Sequence, residues 1–328
     1  MFEATRREVL RSAGGAAAAL LAPRWVEATE AWPSKPLKIF VPVPPGGPAD
    51  ALDRMLARNM GPRLKKPVIV DNRPGAVGLL SMQALAASPA DGHTLLQIHA
   101  GMVSGQVLMK RFDMLAGLTP ISLIADFPIA MVAPATRPYK NFEEFRAVAA
   151  SSPPGSLSYG TLGVGSFEHL LIASLGNTLK IKMTHIPYKG GAELVQALLS
   201  GQIDFAYLLT QLAQPYVEKG QMRGLAVLAE NRNSALPDTP TFVELKVPTR
   251  PMSYWAGICA PAGTPDSIAD KLHKIVVDSV QEENIKSWLS QGGSIPRFSE
   301  SRAAFRKLIE ADQSFMQSVV DENGIKTS

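Results

Sequence analysis

Hydrophobic and polar positions follow strand and helix patterns in turn from residue 36 onward. Residues 37–43 (LKIFVPV) form the apolar run of a buried strand, and residues 49–64 carry apolar side chains at helical spacing. A short strand at 67–70, a helix at 79–87 and a strand at 94–98 follow. This βαβαβ order predicts a parallel sheet with right-handed crossovers.

The middle of the chain repeats this order. Strands are predicted at 129–132, 157–160, 182–186, 203–208 and 223–228, and helices at 142–150, 166–179, 192–199 and 212–219. A Pro-rich passage at 237–251 precedes a strand at 254–260 and helices at 267–280, 285–289 and 301–323. These last helices need a sheet to cover. The first βαβαβ segment has few helices of its own, so we expect the C-terminal helices to pack against its sheet.

We therefore predict two lobes joined by two crossing segments. The first lobe comprises residues 32–134 and 250–328, and the second comprises residues 135–249. Two crossings of this kind form a hinge with a cleft between the lobes.

The first 31 residues have the pattern of an export signal. Arg6 and Arg7 form a twin-arginine pair, a run of small and apolar residues spans 12–22, and Val26 and Ala28 occupy the −3 and −1 positions of a cleavage site. The apolar run is about half the ~20 residues that a membrane-spanning helix needs. We expect residues 1–31 to direct export to the periplasm by the twin-arginine route; the alternative is a surface helix with a basic end.

Composition narrows the classes of partner. Because the chain is 46% hydrophobic and only 19% charged, it can bury a full core. Its formal net charge is +4. It has no block of Lys and Arg interleaved with aromatic residues, which argues against nucleic acid. The five histidines and the single cysteine lack metal-ligand spacing, so we expect no metal or cofactor, and Cys259 is predicted to be a buried structural residue.

Two Gly-rich loops that each join a strand to a helix are the candidates for ligand binding. The first Gly-rich loop spans residues 44–50 (PPGGPAD) and the second spans residues 159–166 (YGTLGVGS). Glycine lets the backbone approach a ligand closely, and the N–H groups of a first helical turn have no intrahelical partners and attract anions. Because one loop lies in each predicted lobe, both are expected to close on one anionic ligand.

Some side chains near these loops allow two interpretations. Asp50 is either a helix cap or a partner for the amino group of a ligand. Ser166 and His169 are one helical turn apart and could belong to a periplasmic hydrolase, although no Gly-x-Ser-x-Gly motif accompanies them. A capping serine beside a structural histidine explains the same pair, and we expect no enzyme.

Several segments together carry a family resemblance. They are WPSKP (32–36), PPGG (44–47) with Asp50, DNRPGA (71–76), PADGHTLL (89–96), GVGS (163–166) with His169, PYKGG (187–191), SGQID (200–204) and APAGTP (260–265). In this order, from about residue 32 to the C-terminus, the chain resembles the Bug-type solute receptors of tripartite tricarboxylate transporters. The resemblance implies an α/β type II periplasmic-binding-protein fold, with two Rossmann-like lobes, a hinge and an interlobe cleft. It also implies a small carboxylate held by backbone amides, hydroxyls and ordered waters from the two loops.

Departures from the family pattern bear on the ligand. Leu162 and Phe167 stand where members often carry small polar residues, and Leu208 stands where a polar or acidic residue is common. The sequence His99-Ala100-Gly101 replaces the usual Thr-Ser-Gly type. These changes favour a monocarboxylate or aromatic carboxylate over an amino-dicarboxylate, unless the apolar side chains simply pack the core behind the cleft.

We therefore expect a monomeric periplasmic receptor that captures a small organic acid and presents it to the membrane permease subunits of a tripartite transporter. The alternatives are the ligand-binding component of a sensory system and the hydrolase. The predicted ligand-binding residues are Pro45, Gly46, Gly47, Pro48, Asp50, His99, Thr161, Leu162, Gly163, Gly165, Ser166, His169, Tyr188 and Tyr207.

Overall fold

Residues 32–326 are described by a computed structural model, and they form two mixed β-sheets covered by helices. The strands are β1 (Leu37–Val41), β2 (Val68–Asn72), β3 (Thr94–His99), β4 (Leu118–Phe127), β5 (Ile129–Pro134), β6 (Ser158–Thr161), β7 (Thr184–Pro187), β8 (Phe205–Leu209), β9 (Met222–Val227), β10 (Tyr254–Pro261) and β11 (Ile295–Pro296). The helices are α1 (Pro48–Leu64), α2 (Leu79–Ala86), α3 (Ala100–Met109), α4 (Met114–Gly117), α5 (Phe142–Ser151), α6 (Phe167–Leu179), α7 (Gly191–Leu199), α8 (Thr210–Glu218), α9 (Asp266–Val280), α10 (Glu283–Ser290) and α11 (Arg302–Asn323), with a 3₁₀ turn at Ala76–Gly78.

The first sheet has the strand order β11-β4-β10-β3-β1-β2, and the second has the order β7-β6-β8-β5-β9. Strand β1 pairs in parallel with β2 and β3, and β6 pairs in parallel with β7 and β8, as the βαβ patterns predict. Strand β10 lies between β3 and β4 and is antiparallel to both. The two sheets are the bases of two lobes.

The first crossing between the sheets lies earlier than the sequence predicts. Strand β5 (Ile129–Pro134) was expected in the first lobe, but it pairs with β8 and β9 of the second sheet, so the chain crosses at Pro128. The residues on both sides of Pro128 are almost continuously buried. Only isolated polar residues, such as Asp126, and the proline interrupt the apolar run, so no loop-like polar segment marks the change of sheet.

Two long elements of the first lobe have no counterpart in the predicted pattern. Strand β4 was not predicted, because its apolar run merges with that of β5. Helix α3 is buried along most of its length and contains Gly101 and Gly105, so it lacks the polar face that reveals an amphipathic helix. Packing against both lobes, not an amphipathic pattern, makes this segment helical.

The apolar core is continuous between the lobes. One cluster of buried side chains includes Ile98 of the first sheet and Tyr207 of the second. Cys259 is buried in β10, as expected, and burial raises the pKa of its thiol well above the usual range. The two sheets thus share packing behind the cleft.

The predicted export signal, residues 1–31, lies outside the described residues. Between residues 32 and 326 no helix combines the length and the apolar character needed to cross a membrane.

Candidate ligand-binding cleft

A cavity of about 350 Å³ lies between the two lobes. Residues of the first lobe and of the second lobe form opposite walls. The first wall comprises Val77, His99, Gly101, Gly105, Leu108, Met109 and Tyr254, and the second comprises Leu162, Val164, Gly165, Ser166, Phe167 and Glu168. Most of this surface is apolar, with four polar side chains set into it.

The starts of two helices meet at this cavity. Helix α3 begins directly after His99, where β3 ends, and helix α6 begins after Ser166 at the end of the second Gly-rich loop. The first N–H groups of a helix lack intrahelical partners, and the helix dipole makes this end positive. The cavity therefore has two poles that favour negative charge, one on each lobe.

His99 and Tyr254 form a polar pair on the first wall. The Tyr254 hydroxyl lies 2.7 Å from Nδ1 of His99, within hydrogen-bond distance, and the two rings stack with centroids 5.2 Å apart. Burial lowers the pKa of His99 to about 4 and raises the pKa of Tyr254 well above its usual range. Both groups are therefore neutral at physiological pH and act as hydrogen-bonding groups.

The second Gly-rich loop is held by bonds within itself. The Gly163 N–H donates to Oγ1 of Thr161 (3.2 Å), the Gly165 N–H donates to Nδ1 of His169 (3.0 Å), and the Ser166 N–H donates to the Gly163 carbonyl oxygen (3.2 Å). Gly163 and Gly165 have φ values of +118° and +75°, a region that L side chains rarely adopt. These amides set the shape of the loop, so fewer of them are available to a ligand than the sequence predicts.

Two stacked histidines lie beneath this loop. The rings of His169 and His185 have centroids 3.9 Å apart, and Nε2 of His185 lies 2.6 Å from Oγ1 of Thr161. Burial, followed by the charge of His185, lowers the pKa of His169 to about 4. The neutral ring of His169 accepts the Gly165 N–H, and this contact fixes the loop.

The contacts of Ser166 and His169 give no support to the hydrolase alternative. Ser166 is the N-cap of α6, and its Oγ accepts the backbone N–H of His169 at 3.3 Å. Nδ1 of His169 already accepts the Gly165 N–H. A serine nucleophile needs a histidine base that can take its proton, and these two residues act instead as a helix cap and a loop anchor.

Comparison with known proteins identifies the family. Residues 52–325 match the tripartite tricarboxylate transporter family receptor. The chain belongs to that family. The family consists of solute receptors and is not a family of enzymes, and the match confirms the resemblance inferred from the sequence motifs.

Relatives cover nearly the whole receptor. Protein BugT of Bordetella pertussis is 31% identical over 273 residues, which are 81% of this chain and 83% of BugT. MatC from Rhodopseudomonas palustris, solved with bound malate, is 28% identical with a TM-score of 0.72, and the match covers 88% of this chain and 100% of MatC. The R. palustris protein Rpa4515, solved with adipate, is 27% identical with a TM-score of 0.76, and the match covers 90% of this chain and 99% of Rpa4515. Together with the two mixed sheets, these structures confirm the two-lobe type II periplasmic-binding fold.

The first Gly-rich loop of this receptor does not line the cavity. Its predicted residues, Pro45, Gly46, Gly47 and Pro48, lie at the surface after β1, on the same sheet edge as the end of β3. In this arrangement only the second Gly-rich loop reaches the cavity, so the prediction that both loops meet there does not describe this structure.

Asp50 anchors the first loop. It is not the N-cap that one interpretation predicted, because α1 begins earlier, with Gly47 as N-cap and Pro48 in the first turn. Its buried carboxylate accepts the Gly46 N–H (3.0 Å), Nε of Arg54 (2.9 Å) and Nδ2 of Asn72 (2.8 Å). The hydrogen bond from Arg54 contributes most to lowering the pKa of Asp50 to about 2. These contacts occupy the carboxylate, which leaves little capacity for a ligand's amino group.

Five other predicted residues lie outside the cavity lining: Gly163 and His169, whose contacts shape the second loop, and Thr161, Tyr188 and Tyr207. Thr161 is buried at the end of β6, within the second loop, and Tyr188 faces a separate surface groove that includes Glu193. Tyr207 is 2% exposed and packs against Phe242 in the shared core. Leu208 is likewise buried in a core cluster, so the core-packing alternative describes these two residues of β8.

Several residues of the cavity are not among those that the sequence predicts. Val77 follows the DNRPGA segment and has a φ of +51°, and Tyr254 begins the predicted strand 254–260. Glu168 is an acidic residue in the first turn of α6. In a sequence, an acidic residue at this position indicates stabilisation of the helix dipole and not a binding site. The signal for each was present, but only the packing of two lobes brings them together.

A second cavity of about 380 Å³ lies at the two crossing segments and contains several charged groups. Four of them form two ion pairs: Arg297 bonds Asp126 at 2.8 Å, and Arg250 bonds Asp312 at 2.8 Å. The Arg250–Asp312 pair fastens the second crossing segment to α11 of the first lobe. We therefore place the candidate site in the interlobe cavity.

Proposed function

We propose that this chain is a periplasmic receptor that captures a small organic carboxylate between its lobes and presents it to a tripartite transporter. The observation that carries the proposal is the interlobe cavity, at which the N-termini of α3 and α6 meet. Malate and adipate, bound by the similar proteins MatC and Rpa4515, are ligands of this chemical class.

The carboxylate of the ligand is proposed to lie at the start of α3. The first-turn N–H groups there lack intrahelical partners and lie beside the His99–Tyr254 pair, with Gly101 in the lining. Hydrogen bonds to a charged group contribute about 1.5–3 kcal/mol each. A few of them account for much of the ~8 kcal/mol of a micromolar complex, without any salt bridge.

The body of the ligand is proposed to be apolar. Leu162 is 47% exposed, and Val77 and Val164 are also exposed, so apolar side chains face the cavity without being buried by the protein itself. Burying ~100 Å² of apolar ligand surface contributes roughly 2.5 kcal/mol. This favours a monocarboxylate or an aromatic carboxylate over citrate or glutamate, whose additional charges would remain unpaired.

Capture is proposed to involve closure about the two crossing segments, the first at Pro128. The lobes approach closely at the cavity, since a Cβ atom built on Gly165 would lie 2.3 Å from Cδ2 of Leu108. A ligand that touches both walls stabilises the closed state, because only contacts that differ between the two states shift their equilibrium. Export by residues 1–31 and handover to a permease complete the proposed role.

The proposal is tested by identifying the ligand without bias. Mass spectrometry of small molecules released from the purified mature protein should detect an organic acid. Titration calorimetry should then rank benzoate and hexanoate above citrate and glutamate. Tighter binding of citrate or glutamate would contradict the apolar body, and release of a ligand without a carboxylate would contradict the proposed function.

A further inference from the structure

Glu168 brings a carboxyl group to a cavity proposed to bind an acid. Its side chain is 9% exposed, and it lines the second wall beside Ser166. Burial raises the pKa of Glu168, and a hydrogen bond from the Ser166 hydroxyl counteracts that effect. The pKa of Tyr254 is raised mainly by burial and, second, by the negative charge of Glu168. Glu168 therefore acts across the cavity on a residue of the first wall.

The two helix ends at the cavity consequently differ in charge. The start of α6 carries Glu168 in its first turn, whereas the first turn of α3 contains no acidic residue. Among the described residues that line the cavity there is no Lys or Arg. The dipole of α6 is thus already compensated by a protein carboxyl, and only α3 offers an uncompensated positive end.

We infer that Glu168 determines which acids this receptor accepts: the ligand is a monocarboxylate that also carries a hydroxyl or amino group. Its carboxylate lies at the start of α3, and its hydroxyl or amino group donates a hydrogen bond to Glu168. This inference rests on the proposed function. A second carboxylate in the ligand would meet the Glu168 carboxyl in a cavity whose described lining residues include no Lys or Arg; either two like charges then lie together or one of the acids must take up a proton, and both are costly.

The experiment compares matched acids by titration calorimetry on the mature protein at pH 7.5. One series is hexanoate, 6-hydroxyhexanoate and adipate; the other is benzoate, 4-hydroxybenzoate, 4-aminobenzoate and terephthalate. In at least one series, the hydroxyl or amino member should bind about tenfold tighter than both the unsubstituted acid and the dicarboxylate.

The variant Glu168→Gln removes the charge and keeps the shape of the side chain. It should raise the affinity for the dicarboxylate by about tenfold or more, because the repulsion is lost. Glu143→Gln is the matched control: Glu143 is an exposed first-turn residue of α5, outside the cavity, and its substitution should leave every affinity unchanged.

The outcomes separate this inference from the proposed function. A dicarboxylate that binds wild type as tightly as the hydroxy acid, with no gain in Glu168→Gln, would overturn the role of Glu168 and leave the carboxylate receptor intact. Failure of every acid in both series to bind would overturn the proposed function together with this inference. The ranking in the wild-type protein decides the point even if the variant does not fold.

Discussion

The two Gly-rich loops have the same order of strand, glycine turn and helix, but they differ in what anchors them and in what they face. The first loop is fastened by the Asp50 carboxylate and lies at the surface. The second loop is fastened by the neutral imidazole of His169 and lines the interlobe cavity. A glycine pattern therefore marks a sharp turn, and the contacts around the turn decide whether it belongs to a binding site.

The difference in anchors gives the loops different sensitivities to acid. The pKa of His169 is lowered from 6.5 to about 4, so the unfolded chain binds more protons than the folded one between these values. The contribution of His169 to stability is complete above pH 6.5 and is lost as the pH falls toward 4. The pKa of Asp50 is lowered from 3.8 to about 2, so its contribution is lost only below about pH 4.

The largest predicted effect is loss of stability between pH 6.5 and 4. The shift of His169 corresponds to roughly 3 kcal/mol, since each pKa unit is worth about 1.4 kcal/mol. Urea unfolding across this range should show wild type losing stability faster than His169→Asn, whose amide oxygen can still accept the Gly165 N–H. Parallel pH curves for the two proteins would mean that His169 does not anchor the loop in its neutral form.

The second-largest predicted effect is on ligand affinity, when one glycine is substituted in each loop. Gly165 has a φ of +75°, and its Cβ would meet Leu108, whereas Gly47 has no heavy atom within 4 Å of its Cβ position. Gly165→Val should lower affinity for the bound acid by about 30-fold, or about 2 kcal/mol. Gly47→Val should stay within about threefold of wild type. Equal losses measured by calorimetry would instead indicate that both loops contact the ligand.

The smallest effect concerns the anchor of the first loop. Asp50→Asn weakens the bonds from Arg54 and the Gly46 N–H and should lower the free energy of unfolding by about 1–2 kcal/mol. Affinity should not change, because the first loop does not line the cavity. Urea unfolding measures the first quantity and calorimetry the second. A tenfold loss of affinity at unchanged stability would assign Asp50 to the ligand.

Local patterns in the sequence predicted much of the fold. Helix 301–323 and strand 37–43 correspond to α11 (Arg302–Asn323) and β1 (Leu37–Val41), because each carries its own periodicity. Helix α3 has no polar face, and the boundary between β4 and β5 carries only Asp126 and Pro128 within a buried apolar run, so neither could be recognised locally.

The candidate site was less predictable than the fold. Ser166, Leu162 and His99 were named from motifs beside helix starts, and these residues line the cavity. Tyr254 reaches it only because β10 inserts between β3 and β4. Tyr207 and Asp50 were named from the same kinds of pattern, yet one packs in the core and the other holds a loop. Their roles depend on long-range packing, which spacing along the chain does not encode.

A crystal structure of the receptor with its tightest-binding acid tests the central claim most directly. We expect density for the ligand between His99 and Ser166, with the carboxylate at the start of α3 and the apolar body against Leu162. A ligand bound at the first Gly-rich loop, or in the cavity of the crossing segments, would contradict it.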